Sequence, residues 1–319
     1  MTGVIQLALV IVVAACAAWA SMRAWRSKRT THRLAAGASS ALVAAVLGVA
    51  AVLGLIGVVR LSAPHASPAA NIPLQMTPDQ VIVATRRASG CRGCHSSGGS
   101  LALDGGTTNL LATGPGLGVL VAPNLTPGGP LKDWTDGEIV RAIREGVDRD
   151  GRPLLIMPSE GFHALSDADS SMLVAYLRSQ PATNHATPPR DLNLLGLALV
   201  GGGIFPTAQQ ARVMAPQAAP PAGTTAEYGR YLVDVTGCRT CHGPNLEGRV
   251  ANGFGPPAGP NLRTFIPQWL EGDFVRFFRT GIDPAGHAVD PALMPWPGIG
   301  SAYSDDELRA MFSYLRAEP

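Results

Sequence analysis

Charge is scarce in this 319-residue chain. Asp, Glu, Lys and Arg together make 15% of it, and the first 62 residues contain no acidic side chain. With so few charges, and with Gly and Pro at 64 positions, a long coiled coil is excluded. The 46% apolar content excludes a mostly disordered chain. No stretch alternates apolar and polar residues as a succession of strands would. The formal charge of +2 conceals an asymmetry. Residues 1–62 hold six basic groups (Arg23, Arg26, Lys28, Arg29, Arg33, Arg60), whereas the rest carries 19 basic against 23 acidic residues. That mildly acidic body has no basic face for a phosphate backbone, so nucleic acid is not an expected partner.

Two apolar runs account for the basic cluster. Residues 1–22 and 34–59 contain no charged side chain. As helices both reach about 30 Å or more, the thickness of a bilayer core. Five of the six basic residues lie between them, in Arg23–Arg33. The positive-inside bias puts that connection in the cytoplasm, and everything after about Arg60 on the other side. A cleaved signal peptide would instead carry its basic residues before the apolar run. Val13-Ala14-Ala15-Cys16 resembles a lipoprotein cleavage site, which conflicts with an inward-facing basic loop; a Cys16 lying in the bilayer does not. Residues 1–62 are therefore expected to be a membrane anchor of two transmembrane helices, in contact with membrane lipid.

The remainder repeats itself. Cys91-Arg92-Gly93-Cys94-His95 and Cys238-Arg239-Thr240-Cys241-His242 lie 147 positions apart. Ala122-Pro123-Asn124-Leu125 answers to Gly259-Pro260-Asn261-Leu262 at an offset of 137, and Trp134-Thr135-Asp136-Gly137-Glu138 to Trp269-Leu270-Glu271-Gly272-Asp273 at 135. Tyr176-Leu177-Arg178 and Tyr314-Leu315-Arg316 close the two copies. Such self-similarity predicts two related domains, 75–182 and 224–319, joined by a Pro/Ala-rich linker, 183–223. Capping signals predict helices opening at Thr77, Thr135, Ser166 and Ser304, the first ending just before Cys91 and the second stopped by Gly146. Each copy should thus be an all-α domain of three or four short helices and long loops, needing a large group at its centre. Within the linker, Leu192–Phe205 is uncharged but too short to span a bilayer. It is expected to pack against a domain or the membrane surface.

Four of the five cysteines belong to the two pentads. In a Cys-x-x-Cys-His unit both thiols can add to the vinyl groups of a haem while the adjacent histidine reaches the iron from the same face. A zinc site would want four ligands, a thioredoxin-like pair a βαβ context, and disulfides would not need the histidines. Cys91, Cys94, Cys238 and Cys241 are therefore candidate attachment points for two covalently bound haem c groups, and His95 and His242 candidate iron ligands. Met157 and Met294 share a register, and each precedes a proline, which makes them the candidate second ligands. His163 and His287 are their rivals, and Met76, Met172, Met214 and Met311 have no paired placement. Methionine opposite histidine would fill both iron positions and favour electron transfer over bond-making. Pro123 and Pro260 stand where a carbonyl could accept from the ligand histidine's Nδ1–H. Arg92 and Arg239 are placed either to pair with haem propionates or to be solvated.

These residues resemble a known family. Gly229-Arg230-Tyr231-Leu232, Cys238-x-x-Cys241-His242, Gly259-Pro260-Asn261-Leu262, Met294-Pro295 and Tyr314-Leu315-Arg316 look like a class I cytochrome c domain. The first copy, with Met157-Pro158-Ser159-Glu160, is similar to the cytochrome c subunits of bacterial membrane-bound dehydrogenases. The resemblance implies an all-α fold with two haems and a dehydrogenase that supplies electrons. Those subunits typically carry three haem domains and attach near the C-terminus, whereas two domains and a front anchor are expected here. The expected role is electron transfer from a dehydrogenase subunit to quinone or a terminal oxidase, at the bacterial cytoplasmic membrane with the haem domains in the periplasm. The alternative is a di-haem peroxidase-like enzyme, in which the first haem has an open site. An acidic carrier is steered by a basic partner face, so turnover with the partner should fall as ionic strength rises. A rate independent of salt would contradict this.

Overall fold

The computed structural model describes residues 2–26, 30–65, 77–99, 102–112, 116–250 and 257–317. Residues 27–29 of the basic connection, the expected domain start at 75 and Met76 lie outside these. The fold is mostly helical. Its first helices are α1 (Thr2–Trp25), α2 (Thr30–Ser62), α3 (Pro78–His95), α4 (Asp136–Glu145), α5 (Ser159–Phe162), α6 (Asp167–Ser179) and α7 (Leu194–Gly201). After them come α8 (Ala226–Thr236), α9 (Cys238–His242), α10 (Leu262–Phe265), α11 (Glu271–Thr280), α12 (Trp296–Ala302) and α13 (Asp305–Arg316). One antiparallel ladder joins β1 (Gly118–Val119) to β2 (Asp191–Leu192).

The cap signals act as anticipated. Thr77, Thr135 and Ser304 each close a capping box, with Gln80, Glu138 and Glu307 returning to the cap amide. Gly146 ends α4 in the left-handed region, at φ 64°. The expected end of the first helix is corrected. α3 runs through Gly90 to His95, and the first pentad is its last turn. In the second copy Gly237, at φ 76°, breaks the chain between α8 and α9. Among the described residues that half accordingly holds six α-helices rather than three or four.

The chain forms two compact units. One comprises Met1–Ala63, Asn109–Val121 and Pro188–Pro206. Within it α1 and α2 pack antiparallel. Ser21 Oγ donates to Gly37 O at 3.0 Å near the connection, and Leu7 lies against Gly54 further along. Both helices are long and apolar enough to cross a membrane, with the apolar span of α2 running over Ala36–Ser62. The inserted segments have a cause in the repeat. The first copy has 32 positions from Cys91 to Pro123 where the second has 22 from Cys238 to Pro260, and the excess supplies the Asn109–Val121 excursion.

The other unit comprises Pro64–Thr108, Ala122–Thr187 and Thr207–Pro319. It has two apolar clusters. One gathers Ala84, Ala88, Leu103, Ile139, Val140, Met172 and Val174 from α3, α4, α6 and the loop after the first pentad. The other is built on α8, α11 and α13, with Leu232, Phe274, Phe278, Leu308 and Phe312 buried. At its centre α8 crosses α13 so closely that a Cβ on Gly229 would lie 1.8 Å from Ala310 O. Gly229→Ala should therefore destabilise the protein by about 3 kcal/mol through overpacking. Gly272→Ala, where a Cβ meets nothing within 4 Å, should be neutral or stabilising by up to about 1 kcal/mol. Thermal unfolding of the two variants checks the contrast.

Candidate functional site

The two pentads sit at equivalent places with different backbone support. Cys91, Cys94 and His95 ride on the end of α3, while Cys238, Cys241 and His242 make up α9. A separation of three residues puts both thiols of each pair on one helix face. All five cysteines are free thiols. Cys91 packs at the edge of the first apolar cluster and Cys238 at the edge of the second. Burial pushes the Cys91 thiol up to about 11, with Cys94 adding to the shift, and the Cys238 thiol up to about 12, with Asp234 adding to it. Burial also raises Cys94 and Cys241. All four are neutral thiols near neutral pH.

Each histidine is held by one hydrogen bond of the same length. His95 Nδ1 lies 2.8 Å from Pro123 O, and His242 Nδ1 lies 2.8 Å from Pro260 O. A carbonyl can only accept, so Nδ1 carries the proton and the Nε2 lone pair is free. Burial lowers both histidine pKa values, against the opposing effect of that bond, and favours the neutral ring. In the second copy the approach requires glycine, since a Cβ on Gly259 would lie 2.5 Å from His242 Nδ1.

The loops that carry these carbonyls repeat their hydrogen bonds. Gly105 N donates to His95 O and Gly248 N to His242 O, both at 2.8 Å. Leu125 N donates to Leu103 O and Leu262 N to Leu246 O, again at 2.8 Å. Leu103 and Leu246 both adopt a left-handed conformation, at φ 52° and 62°, and both are fully buried. The asparagine after each proline fastens its loop. Asn124 Oδ1 accepts from Thr126 N and Oγ1 at 2.8 and 2.7 Å, while its Nδ2 donates to Thr183 O at 2.9 Å. Asn261 Oδ1 accepts from Arg263 N and Thr264 N and caps α10. In the sequence Asn124 and Asn261 stand out only as marks of the repeat; their recurrence beside both prolines was the available signal.

The candidate methionines also share one geometry. Ser159 N donates to Met157 O at 2.8 Å and Trp296 N to Met294 O at 2.7 Å, with α5 and α12 following the next proline. Both side chains are half-buried. Met294 packs on the apolar cluster that also holds Cys238. Met172 and Met311 are core residues, and Met214 is exposed. The rival histidines have other partners: His163 Nδ1 faces Arg144 O at 3.2 Å, and His287 pairs with Asp283 at 3.1 Å in an exposed turn. Arg239 is tied to Asp234, the Pro244 carbonyl and Tyr314.

The two halves touch reciprocally. Behind Met157, Thr240 Oγ1 donates to Glu160 Oε2 at 3.1 Å, and a Cβ on Gly161 would lie 2.8 Å from Gly237 Cα. Behind Met294, Ser301 Oγ lies 3.0 Å from Ser89 Oγ on α3, and Arg87 Nη1 donates to Ala302 O at 2.8 Å. The methionine-side helix of each half therefore rests on the pentad-bearing helix of the other.

Residues 226–318 match the family model for cytochrome c. They form a cytochrome c domain. One of the subunits of nicotinate dehydrogenase from Pseudomonas putida is 28% identical over 246 residues, covering 72% of this chain and 20% of that protein. A diheme cytochrome c-type protein of Cereibacter sphaeroides is 27% identical, covering 73% and 83%. The fructose dehydrogenase cytochrome subunit of Gluconobacter japonicus is 24% identical, covering 73% and 51%. The chain thus spans about a fifth of the first relative and about half of the third. Beyond that domain, the chain is similar to cytochrome c subunits of dehydrogenases and to a diheme cytochrome c.

The residues in place fit a covalent haem. Two neutral thiols share one helix face, and beside them stands a neutral imidazole with Nε2 free. Among the described residues, no three His, Cys, Asp or Glu side chains are grouped to hold a bare metal ion.

Arg86 and Arg87 of α3 both pair with Glu307 of α13, at 3.7 and 2.6 Å. Arg87 Nη2 donates to Glu307 Oε1 at 2.6 Å, and Glu307 Oε2 accepts from the Ser304 amide at 2.7 Å. Burial alone would raise the Glu307 pKa; the Arg87 charge and the Ser304 amide outweigh it and hold it below the usual glutamate value of 4.5. A depressed carboxylate stabilises the fold fully above its unfolded pKa, and that contribution disappears as pH falls through the folded one. Glu307→Gln should therefore cost on the order of 3 kcal/mol at pH 7 and flatten the acid limb of the stability curve. Denaturant unfolding at pH 7 and pH 3 measures both effects.

Proposed function

We propose that this chain is a membrane-anchored di-haem c-type cytochrome. It takes electrons from a dehydrogenase partner and passes them to quinone or a terminal oxidase. Residues 75–182 and 224–319 are the two haem domains, and α1 and α2 cross the bacterial cytoplasmic membrane with both domains on the periplasmic side. The observation that carries the reading is the 2.8 Å bond from a proline carbonyl to the pentad histidine, present behind both Cys-x-x-Cys-His units. Relatives named as cytochrome subunits of dehydrogenases support the donor class.

When bound, each haem supplies a one-electron iron centre. The chain's residues do the rest. Cys91 and Cys94 would tether the first group and Cys238 and Cys241 the second. His95 and His242 would offer Nε2 to the iron, fixed in rotation by Pro123 and Pro260. Met157 and Met294 would supply each iron with a second ligand, each on a loop whose following helix rests on the opposite half. That reciprocity supports passage of electrons between the halves within one chain. A basic connection at Arg23–Arg33 supports the topology.

The second reading, an enzyme with an open first haem, draws on one difference. Met294 packs on an apolar cluster, whereas Met157 stands outside both clusters and is more easily displaced. Expressed with the haem-attachment machinery, the protein should give a pyridine haemochrome spectrum of two haems per chain, resistant to acid acetone. Cys91→Ala combined with Cys94→Ala should leave one. Fewer than two in the unaltered chain overturns the di-haem reading. Rapid binding of CO to the ferrous protein overturns the closed-site carrier in favour of the enzyme.

A further inference from the structure

The apolar segment Leu192–Phe205 has no place in haem chemistry, yet the structure gives it a specific seat. In the unit built on α1 and α2, α7 lies across both helices. A Cβ on Gly57 would be 2.0 Å from Leu197 O, one on Gly201 1.9 Å from Leu53 O, and one on Gly3 2.2 Å from Leu192 O. The backbones meet without intervening side chains, as in tightly packed membrane helices. The crossing on α2, at Leu53–Gly57, is set back from the helix end at Ser62 by roughly 8–14 Å at 1.5 Å per residue. α7 therefore sits within the apolar length of the span.

Its polar ends are satisfied from the span helices. Leu194 N donates to Gln6 Oε1 at 2.8 Å, and Asn193 caps the amide of Gly196 at 2.9 Å. At the other end Arg60 Nη1 donates to Val200 O at 2.9 Å. The Gly203, Ile204 and Phe205 amides fold back onto the carbonyls of Val200 and Leu199. A short helix tolerates hydrocarbon only when its end groups are paired inside the protein, and Gln6 and Arg60 each pair one such group here. The Asp191 carboxylate, just before the segment, accepts from Thr2 N and Oγ1. Leu195 and Ile204 are 43% and 51% exposed, and Val4 and Ile5 of α1 and Leu55 and Val59 of α2 are exposed as well.

We propose that Leu192–Phe205 is a re-entrant membrane segment, dipping into the outer leaflet after the first haem domain, with Leu195 facing lipid acyl chains. This rests on the reading of α1 and α2 as membrane spans. The full-length protein, with Cys16→Ser and one added cysteine carrying a nitroxide, is reconstituted in phosphatidylethanolamine/phosphatidylglycerol vesicles. Collision with oxygen, which concentrates in lipid, is compared with collision with a water-soluble nickel chelate. Leu9→Cys, on an exposed face of α1, reports the span, and Met214→Cys reports water. The oxygen-to-nickel ratio at Leu195→Cys should match that at Leu9→Cys and exceed that at Met214→Cys by about fivefold or more. A water-like ratio at Leu195→Cys with a lipid-like one at Leu9→Cys overturns the re-entrant segment and leaves the spans standing. Low access to both reagents at Leu195→Cys also overturns it, showing protein cover instead of lipid. A water-like ratio at Leu9→Cys overturns the span reading and this proposal together.

Discussion

An imidazole can offer Nε2 in a fixed direction only if rotation about its side-chain bonds is stopped, and here the stop is a backbone carbonyl. In both halves a proline carbonyl accepts a hydrogen bond from Nδ1–H, choosing the tautomer and setting the ring plane in one contact. The carbonyl must itself be held, which explains the buried Asn124 network, the Asn261 cap and the repeated bonds to Leu103 and Leu246. The left-handed conformation at those two leucines is costly for a side chain with a Cβ. Full burial in the apolar clusters offsets that cost.

The same economy of means joins the halves. Each methionine loop ends in a short helix that rests on the other half, so the loop geometry and the contact between halves are not independent. Arg87 illustrates the energetics. Its guanidinium is largely withdrawn from water, and it is tolerated because it meets the Glu307 carboxylate, the Ala302 carbonyl and the Tyr303 ring face 4.0 Å away. Glu307 is shared between this pair and the cap of α13, so one carboxylate both starts a helix and locks it to α3.

The unit built on α1 and α2 follows a different rule. Its contacts are close backbone approaches at Gly3, Gly57 and Gly201, which gain dispersion energy where apolar surface has no better place to go. Of the polar groups there, Gln6, Arg60 and Asn193 bond backbone groups at the ends of α7. Fourteen residues that read as an uncharged piece of linker thereby become part of this unit.

Local chemistry was legible from the sequence. Capping boxes at Thr77, Thr135 and Ser304 and the left-handed stop at Gly146 depend on near neighbours, which are written in order along the chain, and the Pro123 and Pro260 carbonyls were marked by the repeat. The second-half domain was legible too, because its pentad, Pro-Asn-Leu and Met-Pro marks have fixed spacings. What tertiary structure alone decided was contact between distant positions. The ten additional residues after the first pentad carried no sign that Asn109–Val121 would pair with Asp191 and Leu192. Nor did Ser89, Gly161 or Gly237 announce that the halves would meet there. Such contacts depend on which backbones can approach most closely once the chain is folded, and a glycine records that fitness only when its neighbour across the gap is known.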